Sequence, residues 1–380
     1  MSLRLLLSCA EASGDLYAGA LTRALRDRAP DVHVSGLGGP QFQSAGGHLL
    51  ADYRGIAVTG LTEALSKVPE ALAVRRRLIE AARANKPDAL VVIDSPDFNF
   101  RLAPVVMRLG VPVVYYVSPQ IWAWRPGRIK SIRRFADLVL VIFPFEEELY
   151  RTNGIPVEFV GHPLVDLTKT PVSREMFLKA HKLDASAPCV ALLPGSRTSE
   201  VSHILPVLVR AAQAIRVPMP DTQFVVARAS HLSDELFADV ARLPRTVIVE
   251  HDTDSVLASV DVAVTASGTA TVQTALHDTP MVIVYRVSSM SYQVLRRLVR
   301  VDAIGMVNLI AGEKIAPELV QDAFTPEAVA RETIALLTNH DRAARMRDGL
   351  ARVRARLGAP GASGRAADAI LRVARRTSNA

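Results

Sequence analysis

Only two cysteines, Cys9 and Cys189, occur in 380 residues. So few exclude a disulfide framework and fit a reducing cytosol; both read as small buried hydrophobes. Aromatic residues make up 5% of the chain, and none lies among the arginines of its last forty residues. That removes the stacking platforms a single-strand nucleic-acid binder uses, so no nucleic-acid partner is expected. No apolar run approaches the roughly 18 residues that cross a bilayer. The longest, Leu138 to Phe145, is cut by Pro144 and by Glu146-Glu147-Glu148. Leu5-Leu6-Leu7 is too short for a secretory signal and runs into Glu11 and Asp15, so it reads as a first strand. The nine histidines show no H-E-x-x-H spacing, and there is no G-x-G-x-x-G. The cluster Gly36-Leu37-Gly38-Gly39 lacks both that spacing and an acidic partner.

What remains is a globular composition, 49% hydrophobic and 22% charged, in a chain long enough for two α/β domains. Continuous apolar runs such as Ala89 to Ile93 suggest strands buried on both faces of parallel sheets. Strands are expected from Leu3 to Ser8, Val32 to Ser35, Val113 to Val117, Leu138 to Ile142 and Glu158 to Val160, with helices between them. The alternation restarts with strands from Val190, Thr222, Thr246, Val260 and Met281, and with helices at Glu200 to Ile215, Asp234 to Leu243, Thr269 to His277 and Glu327 to Thr338. This predicts two Rossmann-like parallel-sheet domains, 1–168 and 169–345, with a cleft between them. Basic helices at 346–380 would pack back on the first domain or on a partner subunit, which leaves a homodimer open. Net charge is +7, and the segment from Asp341 to Ala380, with ten arginines and three aspartates, carries all of it. Further cationic clusters are Arg125 to Arg134 and Arg75-Arg76-Arg77; such clusters suit phosphorylated substrates or anionic lipid.

Two loops carry phosphate chemistry. After the strand ending at Leu193, Pro194-Gly195-Ser196-Arg197 leads into a helix. Gly195 lets backbone approach a ligand, free N–H groups at a helix start favour an anion, and Arg197 offers a planar cationic fork. After the strand ending near Thr265, Ser267-Gly268-Thr269 again places hydroxyls at a helix start, with Gln273 one turn on and able to bond a ribose. Ser267 or Thr269 serving only as a helix cap is the competing reading. Ala10-Glu11-Ala12-Ser13-Gly14-Asp15 brings a flexible turn, an acid and a hydroxyl to the end of the first strand; Ser13 or Asp15 serving only to cap the next helix is the competing reading. Asp94 and Asp97 flank Ser95-Pro96. Ser95 fits an N-cap and Asp97 a first-turn acid, which leaves Asp94 at a strand end without a structural duty. Asp252 and Asp254 read as a helix cap rather than a metal pair, so no metal is expected. From Val58 to Ala84, Leu61, Leu65, Val68 and Leu72 at helical spacings, followed by Arg75, Arg76 and Arg77, suit a lipid-facing element interrupted at Pro69.

Taken together, Ala10-Glu-Ala-Ser-Gly-Asp15, Val92-Ile-Asp-Ser-Pro-Asp-Phe-Asn99, Tyr116-Val-Ser-Pro-Gln-Ile-Trp-Ala-Trp-Arg125, Phe143-Pro-Phe-Glu146, Phe159-Val-Gly-His-Pro163, Leu192-Leu-Pro-Gly-Ser-Arg197, Ala266-Ser-Gly-Thr-Ala270 and Asn308-Leu-Ile-Ala-Gly312 resemble the lipid-A-disaccharide synthase family over nearly the whole chain. The resemblance implies a GT-B glycosyltransferase that is inverting and UDP-sugar dependent, with no cofactor or metal. Its substrates would be UDP-diacylglucosamine and diacylglucosamine 1-phosphate, joined at the cytoplasmic surface of the inner membrane. It implies Asp94 as general base, Arg197 as diphosphate partner, and Glu11 and Asn308 at functionally sensitive positions near the acceptor or cleft. The chain departs from the family pattern at Gln273, where a Glu is usual, and at Thr59-Gly60, where Met-Gly is common. Another GT-B UDP-sugar enzyme, or a membrane-surface nucleotide- or lipid-binding protein without catalysis, is the alternative.

Overall fold

The structure, a computed structural model, describes residues 2–56, 61–124, 126–169, 172–287 and 303–378. The chain forms two compact units, Met1–Leu167 with Leu357–Ala380, and Thr168–Arg356. The first holds a seven-stranded sheet of β1 (Arg4–Cys9), β2 (His33–Gly38), β3 (His48–Asp52), β4 (Ala89–Ile93), β5 (Val113–Tyr116), β6 (Leu138–Val141) and β7 (Val157–Phe159). Their order is β3-β2-β1-β4-β5-β6-β7, every pairing parallel. The second holds β8 (Cys189–Leu193), β9 (Gln223–Arg228), β10 (Thr246–Glu250), β11 (Val262–Ala266), β12 (Met281–Tyr285) and β13 (Glu318–Val320). Their order is β10-β9-β8-β11-β12-β13, again all parallel. Every residue of β4, β8 and β11 is buried, as strands covered by helices on both faces must be. Each sheet reverses its direction of winding once, between β1 and β4 and between β8 and β11. At such a reversal the flanking loops part and leave a crevice at the strands' carboxyl ends.

The expected interruption of the lipid-facing helix is absent: one helix runs Leu61–Ala84 through Pro69. The helices Pro96–Met107 and Thr198–Arg216 likewise contain Pro104 and Pro206. The helix expected from Asp234 to Leu243 is two short 3₁₀ turns, Asp234–Phe237 and Val240–Arg242. Its buried residues Phe237, Val240 and Leu243 repeat every third position, which matches the three-residue period of that helix. The basic tail divides later than expected. The helix His340–Arg356 belongs to the second unit, burying Met346, Leu350 and Val353, and Arg356 donates to the Ile310 and Ala311 carbonyls. Only Ala362–Ser378 joins the first unit, against the helix Ala12–Arg28. There Asp166 accepts from the Gly361 and Ser363 N–H groups, Arg372 pairs with Glu158, and Arg28 pairs with Asp368. Much of the tail's charge is therefore spent on docking within each unit.

His162 lies at this junction inside the first unit. Its ring is buried against Tyr17 and Phe143, and its Nδ1 accepts the Leu164 N–H at 3.1 Å. Burial pushes its pKa down to about 3, so it is folded neutral. An unfolded His protonates near pH 6.5. The stability this neutral ring supplies is thus full above that pH and is lost as pH falls from 6.5 towards 3, by about 1.4 kcal/mol per pH unit. In His162→Asn, whose Oδ1 can accept from Leu164, that component is missing. Thermal melts should show the stability gap between wild type and variant narrowing from pH 7 to pH 4; a constant gap would remove His162 from the acid transition.

Candidate active site

In the first unit the loops after β1 and β4 meet at the winding reversal. Glu11 occupies the N-cap position of the helix Ala12–Arg28, and Ser13 is that helix's second residue, both half-buried. Neither Ser13 nor Asp15 caps this helix. Asp15 instead turns its buried carboxylate onto the next short helix, Pro40–Ser44, accepting from the N–H groups of Gly39, Gln41 and Phe42 at 2.7–3.0 Å. Gly14 packs closely at this point: a Cβ there would lie 3.1 Å from that of Cys9, tighter than an ordinary contact, and 3.9 Å from Ile93.

Asp94 follows β4 directly and is half-buried. Its backbone is left-handed, with φ 43°, and so are Ser95 (45°) and Val117 (55°) on the adjacent strand end. A β-branched residue at such an angle is an outlier that its surroundings must enforce. Here the Asp94 N–H reaches the carbonyls of Tyr116 and Val117, both at 3.3 Å. The Asp94 carbonyl accepts from Asn99 Nδ2 at 2.8 Å and from the Tyr115 hydroxyl at 2.9 Å. Asn99 is itself buried and also bonds the Ser8 hydroxyl, so the β1, β4 and β5 ends are tied together. Ser95 sits at the N-cap position of Pro96–Met107 but its hydroxyl makes no cap; it accepts the Ala10 N–H at 3.1 Å and joins the two loops. Asp97 pairs with Arg128, whose guanidinium also lies 5.2 Å over the Phe100 ring.

In the second unit the loops after β8 and β11 are neighbours, because those strands pair. Gly195 has φ +114°, and a Cβ on it would meet the Glu200 carboxylate at 2.7 Å. Arg197 is the N-cap residue of Thr198–Arg216 and pairs with Glu200 at 2.9 Å, while the Ser196 carbonyl lies 2.9 Å from His231 Nε2. Across from it Gly268, with φ +141°, is the N-cap of Thr269–Leu276, and nothing lies within 4 Å of where its Cβ would be. Neither Ser267 nor Thr269 caps that helix: Ser267 donates to the Ile304 carbonyl and Thr269 is exposed. The loop thus presents main-chain N–H groups beside open space.

Two carboxylates, Asp252 and Asp254, and the Gln273 amide lie beside this loop pair. Gln273 Nε2 donates to Asp254 Oδ1 at 2.9 Å, so its Oε1 faces away from that acid. His277 Nε2 lies 2.9 Å from the same Asp254 oxygen, and the Lys169 N–H reaches the other at 3.2 Å. Burial pushes the Asp254 carboxyl up, but the bonds from His277, Gln273 and Lys169 outweigh it and hold its pKa below the ordinary value. Asp252 caps the helix Thr253–Ser259 by accepting the Ser255 N–H. Both acids of the Asp252-Thr253-Asp254 stretch are therefore engaged by protein donors.

Asn308 differs from the other candidates, being buried with both ends of its amide filled. Its Oδ1 accepts the Ile315 and Ala316 N–H groups, and its Nδ2 donates to the Ala316 carbonyl and to Glu318. Glu318 in turn accepts the Ile304 and Gly305 N–H groups, and the Ile304 carbonyl holds Ser267. Asn308 is thus linked to the Ser267-Gly268-Thr269 loop through this chain. Glu318 had no signal in the sequence: it is one acid in a short edge strand. On the helix Leu61–Ala84, Val68 and Leu72 are 42% and 43% exposed, more than apolar side chains of a packed helix need be. Arg76 and Arg77 are exposed beside them, and Arg75 is half-buried. The side chains of Leu61 and Leu65, Thr59-Gly60 and Arg125 lie outside the described residues. Cys9 and Cys189 are free and buried, and burial pushes the Cys189 thiol up to about 12.

Comparison with known proteins places this geometry. A family model described as lipid-A-disaccharide synthetase matches residues 5–370. The lipid-A-disaccharide synthase of Syntrophus aciditrophicus is 43% identical over 365 residues, 95% of each chain. That of Myxococcus xanthus is 41% identical over 372 residues, 97% of each. Among solved structures, UDP-GlcNAc 2-epimerase from Neisseria meningitidis bound to UDP-GlcNAc superposes with a TM-score of 0.67 at 10% identity, over 98% of this chain and 100% of that one. The glycotransferase of kitacinnamycin gives 0.64 at 18% identity, over 98% and 99%. At such identities the structures speak for the fold alone, two Rossmann-like domains of the GT-B type. The family match runs from the first strand to the last helix and takes in every loop described above; the chain belongs to the lipid-A-disaccharide synthase family of glycosyltransferases.

Proposed function

We propose that the chain transfers 2,3-diacylglucosamine from its UDP carrier to the 6-hydroxyl of 2,3-diacylglucosamine 1-phosphate, forming the β-1,6-linked disaccharide and releasing UDP. The observation that carries this reading is the pairing of chemistries at the two winding reversals. One holds a carboxylate on a fixed backbone, Asp94, and the other an anion cradle of Gly195, Ser196, Arg197 and the Ser267-Gly268-Thr269 loop. Asp94 takes the proton of the acceptor hydroxyl as its oxygen attacks the anomeric carbon on the face opposite the leaving diphosphate. Negative charge then grows on UDP, where Arg197 and the helix-start N–H groups stabilise it without a metal. Gln273 Oε1 accepts a ribose hydroxyl. Glu11 and Ser13 line the acceptor side next to Asp94. Val68 and Leu72 with Arg75, Arg76 and Arg77 meet acyl chains and anionic headgroups at the cytoplasmic surface of the inner membrane. No described helix is long and apolar enough to cross a membrane, so a surface contact of this kind is the attachment the reading calls for.

Asp94→Asn should lower turnover by about 10²–10⁴-fold, the contribution of a positioned general base, with UDP binding intact by calorimetry; near-normal turnover sinks the base assignment. Arg197→Ala should weaken UDP binding about tenfold, at the low end for a charged hydrogen bond because Arg197 is half-exposed and shared with Glu200. Unchanged binding would end its diphosphate role. Turnover with both substrates should survive EDTA, whereas loss on chelation and recovery with Mg²⁺ would assign the diphosphate to a metal. UDP should appear only when the phosphorylated acceptor is present. Release without it would point to another UDP-sugar reaction on the same fold.

A further inference from the structure

Glu146 has no part in the mechanism above, yet it is 1% exposed. It is the third residue of the helix Pro144–Thr152, directly after β6. Its Oε2 accepts the Phe143 N–H at 3.3 Å, the reciprocal half of a capping box. Its Oε1 reaches out of that helix to a different loop, the one after β5. There it receives the Trp122 indole N–H at 3.1 Å and lies 3.4 Å from the Ser118 hydroxyl. One oxygen thus holds both ends of the segment 118–122. Trp122 is locked further by an edge contact with Phe145 at 5.1 Å, and Phe145 stacks on Phe143 at 5.6 Å.

The segment so held begins at Val117, the left-handed β-branched residue whose carbonyl receives the Asp94 N–H. Val117 also gives its own N–H to Leu140 of β6. The connection is continuous: Glu146 to Ser118, Ser118 to its chain neighbour Val117, and Val117 to Asp94. We propose that Glu146 is a positioning residue for Asp94, fixing the loop after β5 so that the strained Val117 carbonyl stays where the Asp94 backbone needs it. A charged carboxylate under this loop would add a field of its own to that of the catalytic base. Burial pushes Glu146 up to about 8, against the bonds from Trp122, Phe143 and Ser118, so at neutral pH it is an uncharged acid that holds geometry without adding a field. A carboxylic acid suits this place better than an amide. Both of its oxygens can accept, one from Trp122 and Ser118 and the other from the Phe143 N–H, whereas an amide with its oxygen on Trp122 and Ser118 would turn its NH₂ donor on the Phe143 N–H.

The proposal rests on Asp94 as the base, and the test separates the two. Purified full-length Glu146→Leu, Glu146→Gln, Ser118→Ala, Trp122→Phe and Asp94→Asn are assayed with both substrates. Glu146→Leu should lose turnover by up to about 10²-fold, as displacement of a reacting group by an ångström does, with KM for both substrates and UDP binding close to wild type. Glu146→Gln keeps an oxygen for Trp122 and Ser118 but not the acceptor for the Phe143 N–H, and should recover part of that loss. Ser118→Ala and Trp122→Phe each remove one bond, leave the acid in place, and should lower kcat partially; they decide the question if Glu146→Leu fails to fold. Wild-type kcat in a folded Glu146→Leu, or in both Ser118→Ala and Trp122→Phe, overturns the positioning role while an inactive Asp94→Asn still upholds the base. Turnover in Asp94→Asn overturns both.

Discussion

Everything functional in this chain hangs on where each sheet changes its direction of winding. A parallel strand must be followed by a crossover, and the crossovers on the two sides of the reversal cover opposite faces. Between β1 and β4, and again between β8 and β11, the loops therefore part where all the strand dipoles and helix starts point. Each crevice is then furnished by only two or three loops. In the first unit these bring Glu11, Ser13 and Asp94 together; in the second they bring Gly195, Arg197 and Gly268. One edge collects a carboxylate and the other open main-chain N–H groups, the two complementary needs of glycosyl transfer from a nucleotide carrier.

Loops that form such crevices carry irregular backbone into half-buried ground, where every N–H and C=O needs a partner. The chain supplies those partners from buried polar side chains: Asp15 to the N–H groups of Gly39, Gln41 and Phe42 at the start of Pro40–Ser44, Asn99 to the ends of β1 and β4, Asn308 and Glu318 to the segment that holds Ser267. Removing a member of such a set leaves a buried partner unmet, which costs about 1–3 kcal/mol for each neutral group. A residue in a sequence motif can thus matter to function without touching substrate. Asn308 is of this kind, because all of its hydrogen-bonding capacity is directed into the protein.

The same division explains what was legible in the sequence. Central strands such as Ala89–Ile93, Cys189–Leu193 and Met281–Tyr285 show as apolar runs because both of their faces are covered. β3 and β13 were not legible: they are sheet edges, half-buried or only three residues long, and their composition does not differ from that of a loop. The two strand-to-helix loops proposed to hold the diphosphate were legible as turns because a strand, small residues and a helix start are contiguous. Glu146 and Glu318 were not, because their partners lie 24 and 28 residues away in one case and 10 to 14 in the other. Capping was misjudged for a related reason. Ser95, Ser13, Ser267 and Thr269 have the chemistry of caps, but Ser95 and Ser267 reach across to other loops, and the three helix starts near them are left without a side-chain cap.

Uncapped helix starts and left-handed non-glycine residues are both unfavourable in isolation, by about 1 kcal/mol for a missing cap and about 1–3 kcal/mol for each strained residue. Three such strained residues, Asp94, Ser95 and Val117, lie together at the first crevice, and the helices that open from the loops at both crevices start without a side-chain cap. A cap at Gly268 would fill the space an anion needs and use the N–H groups that would bind it. Glycine at Asp94 would relax the backbone and delete the acid. Glycine at Ser95 would relax it too, at the loss of the hydroxyl that ties Ala10 to the β4 loop. Each local improvement removes a group or a vacancy that the proposed reaction uses. The surrounding polar sets, with Glu146 under the β5 loop and Glu318 under the β11 loop, are what allow these unfavourable conformations to persist in a folded chain.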